Sequence, residues 1–260
     1  MKKYLEIGKI NFLNNIAYFS EFFLKSLFIL IILFIFVNIW KAIYSGKELI
    51  EGYTFAMMLW YMLMTESIVT SGSTIIKEIN ADIQGGGIAY QLNKPYNYLG
   101  YYFVKSLSYK LISFTVTFVI GSILIYLMVG GFDINLGSIP LLIIPVFLAL
   151  ILDFFMLLCI ALLAFWFEDT TSFRWIYDKI LFTIGGMLVP LEIFPNWLAN
   201  ISNILPFSFA VYQPAKLFVN FNFQRFLEVI GVQMAYILLF LGLAIIIYRK
   251  GIRRVNINGG

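Results

Sequence analysis

The sequence contains no histidine, so imidazole metal sites and histidine general bases are excluded. It contains one cysteine, Cys159, which rules out an intrachain disulfide. Lying inside an apolar run, that thiol reads as a small hydrophobe. Charge is also scarce. Only 12% of the 260 residues are Asp, Glu, Lys or Arg, against about a quarter in a soluble domain. No GxxxxGK[ST] phosphate loop occurs. The triplet Gly85, Gly86, Gly87 is too short, lacks the following Lys-Ser/Thr pair and precedes no strand–helix unit. No serine-nucleophile elbow, paired catalytic carboxylates or basic, aromatic-interleaved nucleic-acid face is present. Neither an enzyme nor a nucleic-acid binder has residues to stand on.

What the chain does have is apolar length. Hydrophobic residues make up 61%, and the mean hydropathy is +0.89. That composition predicts an all-α, polytopic membrane protein, with residues 1–260 forming a single transmembrane domain. Six runs are expected to span, at 22–40, 53–76, 111–129, 140–165, 174–191 and 229–248. The Met-Lys-Lys start mimics a secretory leader, but the first run is of spanning length and lacks a small-residue cleavage site, so it is expected to remain. Residues 1–20 predict an interfacial helix, with Tyr4, Leu5, Gly8, Phe12, Leu13 and Ile16 on one face and Lys2, Lys3, Glu6, Lys9 and Asn14 mostly opposite. A short helix packed on a partner protein fits that pattern equally. Residues 77–100 predict a cytoplasmic loop in which the triple glycine turns the chain and Lys94-Pro95 ends any helix. Gly130, Gly131 and Asp133 mark a tight loop on the other side.

Residues 185–214, GGMLVPLEIFPNWLANISNILPFSFAVYQP, interrupt this regularity. Pro190 and Pro195 break the helical ladder, because proline has no N–H and clashes with the preceding turn. Asn196, Asn200, Ser202, Asn203, Ser208 and Gln213 are mixed among the apolar residues. Broken backbone at membrane depth survives only against protein or a water-filled cavity. Charge placement decides how the stretch runs. With six spans and the N-terminus inside, 14 of the 18 Lys and Arg residues fall on the inner side. A seventh span would put the basic tail outside. Residues 193–220 are therefore expected to dip into the outer leaflet and return, as short helices starting near Pro195 and Phe207.

Two carboxylates, Glu66 and Asp153, fall inside expected spans, each about 20 Å below the outer surface at 1.5 Å per residue. Intramembrane carboxylates are costly and mark functional sites by default. Two readings stay open. Either they face a polar cavity or gate, or they bond a neighbouring helix or pair with Lys105 or Lys110.

Taken together, the interfacial helix, the six spans with both ends inside, the long inner loop DIQGGGIAYQLNKP and the broken stretch before the last span resemble the permease subunits of ABC-2 type ABC transporters. The resemblance covers essentially the whole chain. It implies pairing with a second permease copy or a related permease, and docking of cytoplasmic ABC ATPase subunits that carry ATP and Mg, with no cofactor on this chain. It also implies a multi-pass location in a prokaryotic cell membrane, with cytoplasmic termini and outward transport. The coupling segment would include Glu78, Asp82, Ile83, Gly85, Gly86, Gly87, Leu92, Lys94 and Pro95. The pathway or gate would involve Glu66, Asp153, Gly185, Gly186, Pro190, Pro195 and Pro206. Few charges in the spans favour a lipophilic or amphipathic cargo. The competing expectation is an ion-coupled secondary transporter using Glu66 and Asp153.

Overall fold

The computed structural model describes residues 2–131, 136–167 and 169–258. Asp133, expected in a tight loop, lies outside the described residues. The described residues are mostly helical, with no strand among them. Among the described residues four helices are long and apolar enough to cross a bilayer: α2 (Phe19–Ile43), α6 (Tyr98–Val129), α7 (Ile139–Leu162, extended to Phe165 by a 3-10 turn) and α12 (Phe223–Asn258). They are not equivalent. The apolar window of α7 is 72% buried, whereas those of α2, α6 and α12 are 24%, 28% and 17% buried. The last three are therefore far less enclosed than α7, which is an interior helix.

The second interior helix is α3 (Phe55–Thr70). Thr54 caps it by accepting from the Met57 N–H at 3.2 Å. Its residues from Met58 to Ile68 are all buried, enclosed by α2, α6, α7 and a short helix α11 (Tyr212–Val219). A helix that is apolar all round belongs in such a position. At 16 residues it is shorter than the roughly 20 that cross a bilayer unaided.

Several boundaries differ from the sequence expectation: the second run, expected over 53–76, stops as a helix at Thr70, and the last, expected over 229–248, is helical from Phe223 to Asn258. The helix of the third run starts at Tyr98 rather than near 111. Pro95 stops anything earlier, Asn97 caps the new start by accepting from the Gly100 N–H at 3.0 Å, and nothing breaks the helix between them and the apolar run. The fifth run was expected to be helical over 174–191, but α8 (Thr171–Thr183) ends after 13 residues. There the Ile184 and Gly185 N–H groups both bond the Ile180 carbonyl, and Gly186 takes φ +72°, which favours glycine. The inner segment, in turn, is itself helical, as α4 (Ile75–Gln84) and α5 (Gly87–Leu92), with Gly86 at φ +69° turning between them.

The N-terminal helix α1 (Lys2–Ala17) packs along the start of α6. The side facing it carries Tyr4, Ile7, Gly8 and Asn11, while Leu5, Phe12, Leu13 and Ile16 are exposed. The Tyr4 hydroxyl accepts the Asn97 N–H at 2.9 Å, and the Lys3 ammonium donates to the Pro95 carbonyl at 2.7 Å. Tyr4 and Gly8, grouped with the apolar face in the sequence, thus lie on the packed side instead.

Candidate functional site

The broken stretch is held by α3. Beyond α8 the chain runs irregularly to a 3-10 turn at Leu191–Ile193, then through α9 (Asn196–Ile204), α10 (Pro206–Ala210) and α11. Pro195 and Pro206 stand where α9 and α10 begin, a position that needs no backbone donor. At 9, 5 and 8 residues none of these helices can cross a bilayer. The carbonyls freed by the break find donors on the interior helix: the Tyr61 hydroxyl donates to Gly186, and the Thr65 hydroxyl donates to Met187 at 2.9 Å. A methyl group on Gly186 would meet Tyr212 at 3.0 Å and Leu191 at 3.2 Å, so the bare backbone lets α11 approach. Gln233 of α12, fully buried, donates to the carbonyls of Pro145 at 3.0 Å and Phe209 at 2.9 Å and ties α10 to α7.

One ionic cluster closes this end. Glu192 accepts from the Lys216 ammonium, from the Tyr212 hydroxyl at 2.7 Å and from the Tyr53 hydroxyl at 3.2 Å. Burial alone would raise its carboxyl, but the Lys216 and Tyr212 hydrogen bonds hold it below the ordinary 4.5. Sequence reasoning passed over Glu192. The signal was available, because Glu192 is the one acid and Lys216 the one base in residues 185–220. Tyr61 and Thr65 were missed as well. Their signal is a pair of hydroxyls four residues apart in an apolar run, which places both on one helical face.

The inner segment is tethered on every side but its tip. Glu78 accepts from Lys105 and Thr74, both at 2.8 Å. Asp82 accepts from the hydroxyls of Tyr98 at 3.0 Å and Tyr102 at 2.7 Å. Asn80 bridges to Asp169 at 2.8 Å and Thr170 at 2.7 Å, just ahead of α8. Hydrogen bonds from the Thr171 side chain and backbone hold the Asp169 carboxyl below its usual range. Ile88 is buried beneath α5, and Ile83, Leu92 and Lys94 are half-buried. Gly85, Gly86, Ala89 and Tyr90 form the exposed tip, with the Lys94 ammonium 4.6 Å from the centre of the Tyr90 ring. Gly87 is half-buried and Pro95 exposed. Tyr90 was not singled out from the sequence, although an aromatic three residues past a glycine turn invites attention.

The two membrane carboxylates have different surroundings. Asp153 is bonded by the Lys110 ammonium of α6 and the Tyr177 hydroxyl of α8. Glu66 is buried, and its carboxyl has no partner among the described residues; the nearby Thr70 hydroxyl donates to the Glu66 backbone carbonyl at 2.5 Å. The two carboxylates therefore do not form one constellation with the broken stretch.

Two cavities lie at opposite ends. One, of about 670 Å³, opens beside the Glu192 cluster and is lined by Asn196, Asn203 and Arg225. The other, of about 770 Å³, lies between α2, α3, α6 and α8 near the inner segment. No curated protein sequence matches the chain. The sequence profile of the ABC-2 family transporter proteins matches residues 16–259, and the chain belongs to that family of membrane transporters.

Proposed function

We propose that this chain is the membrane-spanning permease subunit of an ATP-driven exporter. It works as a dimer, with a second copy or a related permease, and is coupled through α4 and α5 to separate cytoplasmic ATPase subunits that bind ATP and Mg. The observation that carries this reading is the inner segment: an exposed tip at Gly85, Gly86 and Tyr90 whose body is bonded to α6 through Glu78 and Asp82, and to the start of α8 through Asn80. Both of those helices line the 770 Å³ cavity. A force applied at the tip thus acts on the cavity walls. Hydrolysis belongs to the partner, and this chain supplies the lever and the pathway.

In this reading the chain crosses six times, with α3 and α8 as short crossings shielded by their neighbours. Residues 193–220 dip into the outer leaflet, and α1 lies in the inner interface. Both termini are cytoplasmic in a prokaryotic cell membrane, which keeps most Lys and Arg inside. The cargo is lipophilic or amphipathic.

Purification from the native membrane tests the proposal. A stoichiometric ATPase subunit is expected, with hydrolysis that depends on the complex. Deletion of residues 85–87 should abolish that co-purification and leave membrane insertion intact. Transport by the purified chain alone, driven by an ion gradient, would overturn the assignment.

A further inference from the structure

We propose that the cavity between α2, α3, α6 and α8 is the headgroup site for an anionic amphiphile, a molecule carrying phosphate or carboxylate on an apolar body. This rests on the permease reading and names the cargo class. The volume of about 770 Å³ suits a headgroup with part of its apolar body.

Charge is the first observation. Lys25, Lys77 and Arg174 line the wall, against one acidic residue, Asp178. The Lys25 ammonium donates to Glu21 and to the Tyr109 hydroxyl, both at 2.6 Å, and Arg174 donates through Nε to Asp178 at 2.7 Å. Lys77 is exposed and has no acceptor among the described residues. The guanidinium lies against bare backbone at Gly72, where a methyl group would come within 2.8 Å of Nη2. An ammonium without an acceptor and a forked guanidinium lining the same cavity are groups that recognise phosphate or carboxylate.

The second observation is independent of charge. Tyr109, Ser113 and Thr117 recur every four residues on the α6 face that lines the cavity. Ser113 and Thr117 are only 5% and 4% exposed, and no described group bonds either hydroxyl. Thr115 and Ser122 of the same helix bond back to the preceding turn, at 2.8 Å and 2.6 Å. The two cavity hydroxyls therefore forgo a local partner that their neighbours use. They extend a polar track about 12 Å long from the cationic mouth toward the middle of the bundle. The facing wall is apolar, made by Leu24, Phe28 and Ile29, with Trp175 beside it. Cations at the mouth, open hydroxyls beyond it and an apolar flank match a charged headgroup travelling with an apolar tail. A free anion has no use for the apolar flank.

The test uses the full chain in phosphatidylcholine nanodiscs doped with brominated phosphatidylglycerol or brominated phosphatidylcholine. Quenching at Trp175 is read as the difference between the wild type and Trp175→Phe. The anionic lipid should quench at a roughly tenfold lower mole fraction, and Lys77→Gln/Arg174→Gln should erase that preference. Lys77→Gln alone, at an exposed residue with no partner to lose, should reduce it severalfold without disturbing the fold. Displacement by dodecyl phosphate would mark the site as open to cargo arriving from water; failure to displace would mark bilayer lipid as the occupant. Equal quenching by both lipids, a preference that survives the double variant, or displacement by inorganic phosphate each overturns the proposal. ATPase co-purification is scored separately. If it persists while the lipid preference is absent, only the cargo class falls. If it is absent while the preference persists, the permease reading falls.

Discussion

Asp153 and Glu66 are both carboxylates on interior helices, and both are buried, at 7% and 3% exposure. Their surroundings could hardly differ more. Asp153 on α7 receives the Lys110 ammonium from α6 and the Tyr177 hydroxyl from α8, so one side chain joins three helices. Glu66 on α3 has no partner for its carboxyl among the described residues. A buried charge is stable only when paired and hydrogen-bonded. Asp153 meets that condition within this chain and Glu66 does not. The first is thus part of what holds the bundle together, whereas the second adds nothing to it that the fold requires. Glu192, at the far end, stands between them. It is ion-paired and twice bonded by tyrosines, but only half-buried.

The sharpest way to break the comparison is Lys110→Met. It leaves Asp153 in place without its cation, and an uncompensated buried charge costs about 3–5 kcal/mol. Chemical denaturation in detergent should record a loss of that size. The double variant Lys110→Met/Asp153→Leu should regain most of it, because no charge is then left unpaired. A single variant as stable as the wild type would show that the triad is not what secures the three helices.

A middle-sized effect is expected at Glu192. Lys216→Met removes one of its three donors while Tyr53 and Tyr212 remain, so the loss should be about 1 kcal/mol. Its pH dependence carries the sign. The folded-state pKa of Glu192 lies below the ordinary 4.5. Its contribution is therefore fully present above the unfolded value and is lost as pH falls through the folded one. Acidification from pH 6 should destabilise the wild type more steeply than Lys216→Met, measured as the difference in denaturation midpoints. Parallel curves would mean that Lys216 does not set the charge state of Glu192.

The long helices α2, α7 and α12 were legible because an apolar run of spanning length needs no context to declare itself; Pro195 announced α9, and the second short helix, expected near Phe207, begins one residue earlier at Pro206. What stayed illegible depends on partners distant in sequence. Lys110 and Tyr177 meet Asp153 across 43 and 24 residues, and the sequence offered Lys105 and Lys110 alike. Lys105 instead goes to Glu78. The end of α8 was missed because its apolar residues run on past the break. The deciding feature is Gly186 at φ +72°, whose carbonyl is bonded by Tyr61 from 125 residues away. Hydropathy registers composition along the chain and is blind to such bonds across it.

The smallest effect on stability is expected from Glu66→Gln. The amide matches the carboxyl in size, and no ion pair or side-chain hydrogen bond among the described residues is lost, so the change should stay within about 1 kcal/mol. Assembly with partners should also be unchanged. Export should nevertheless fall severalfold. That expectation follows from the general cost of an intramembrane carboxyl, which is kept where it serves transport when the fold gives it no partner. The matching Asp153→Asn variant should lose stability and export together, since its carboxylate is spent on holding the helices. If Glu66→Gln instead loses stability as Asp153→Asn does, the two carboxylates are alike after all, and the contrast drawn from their partners fails.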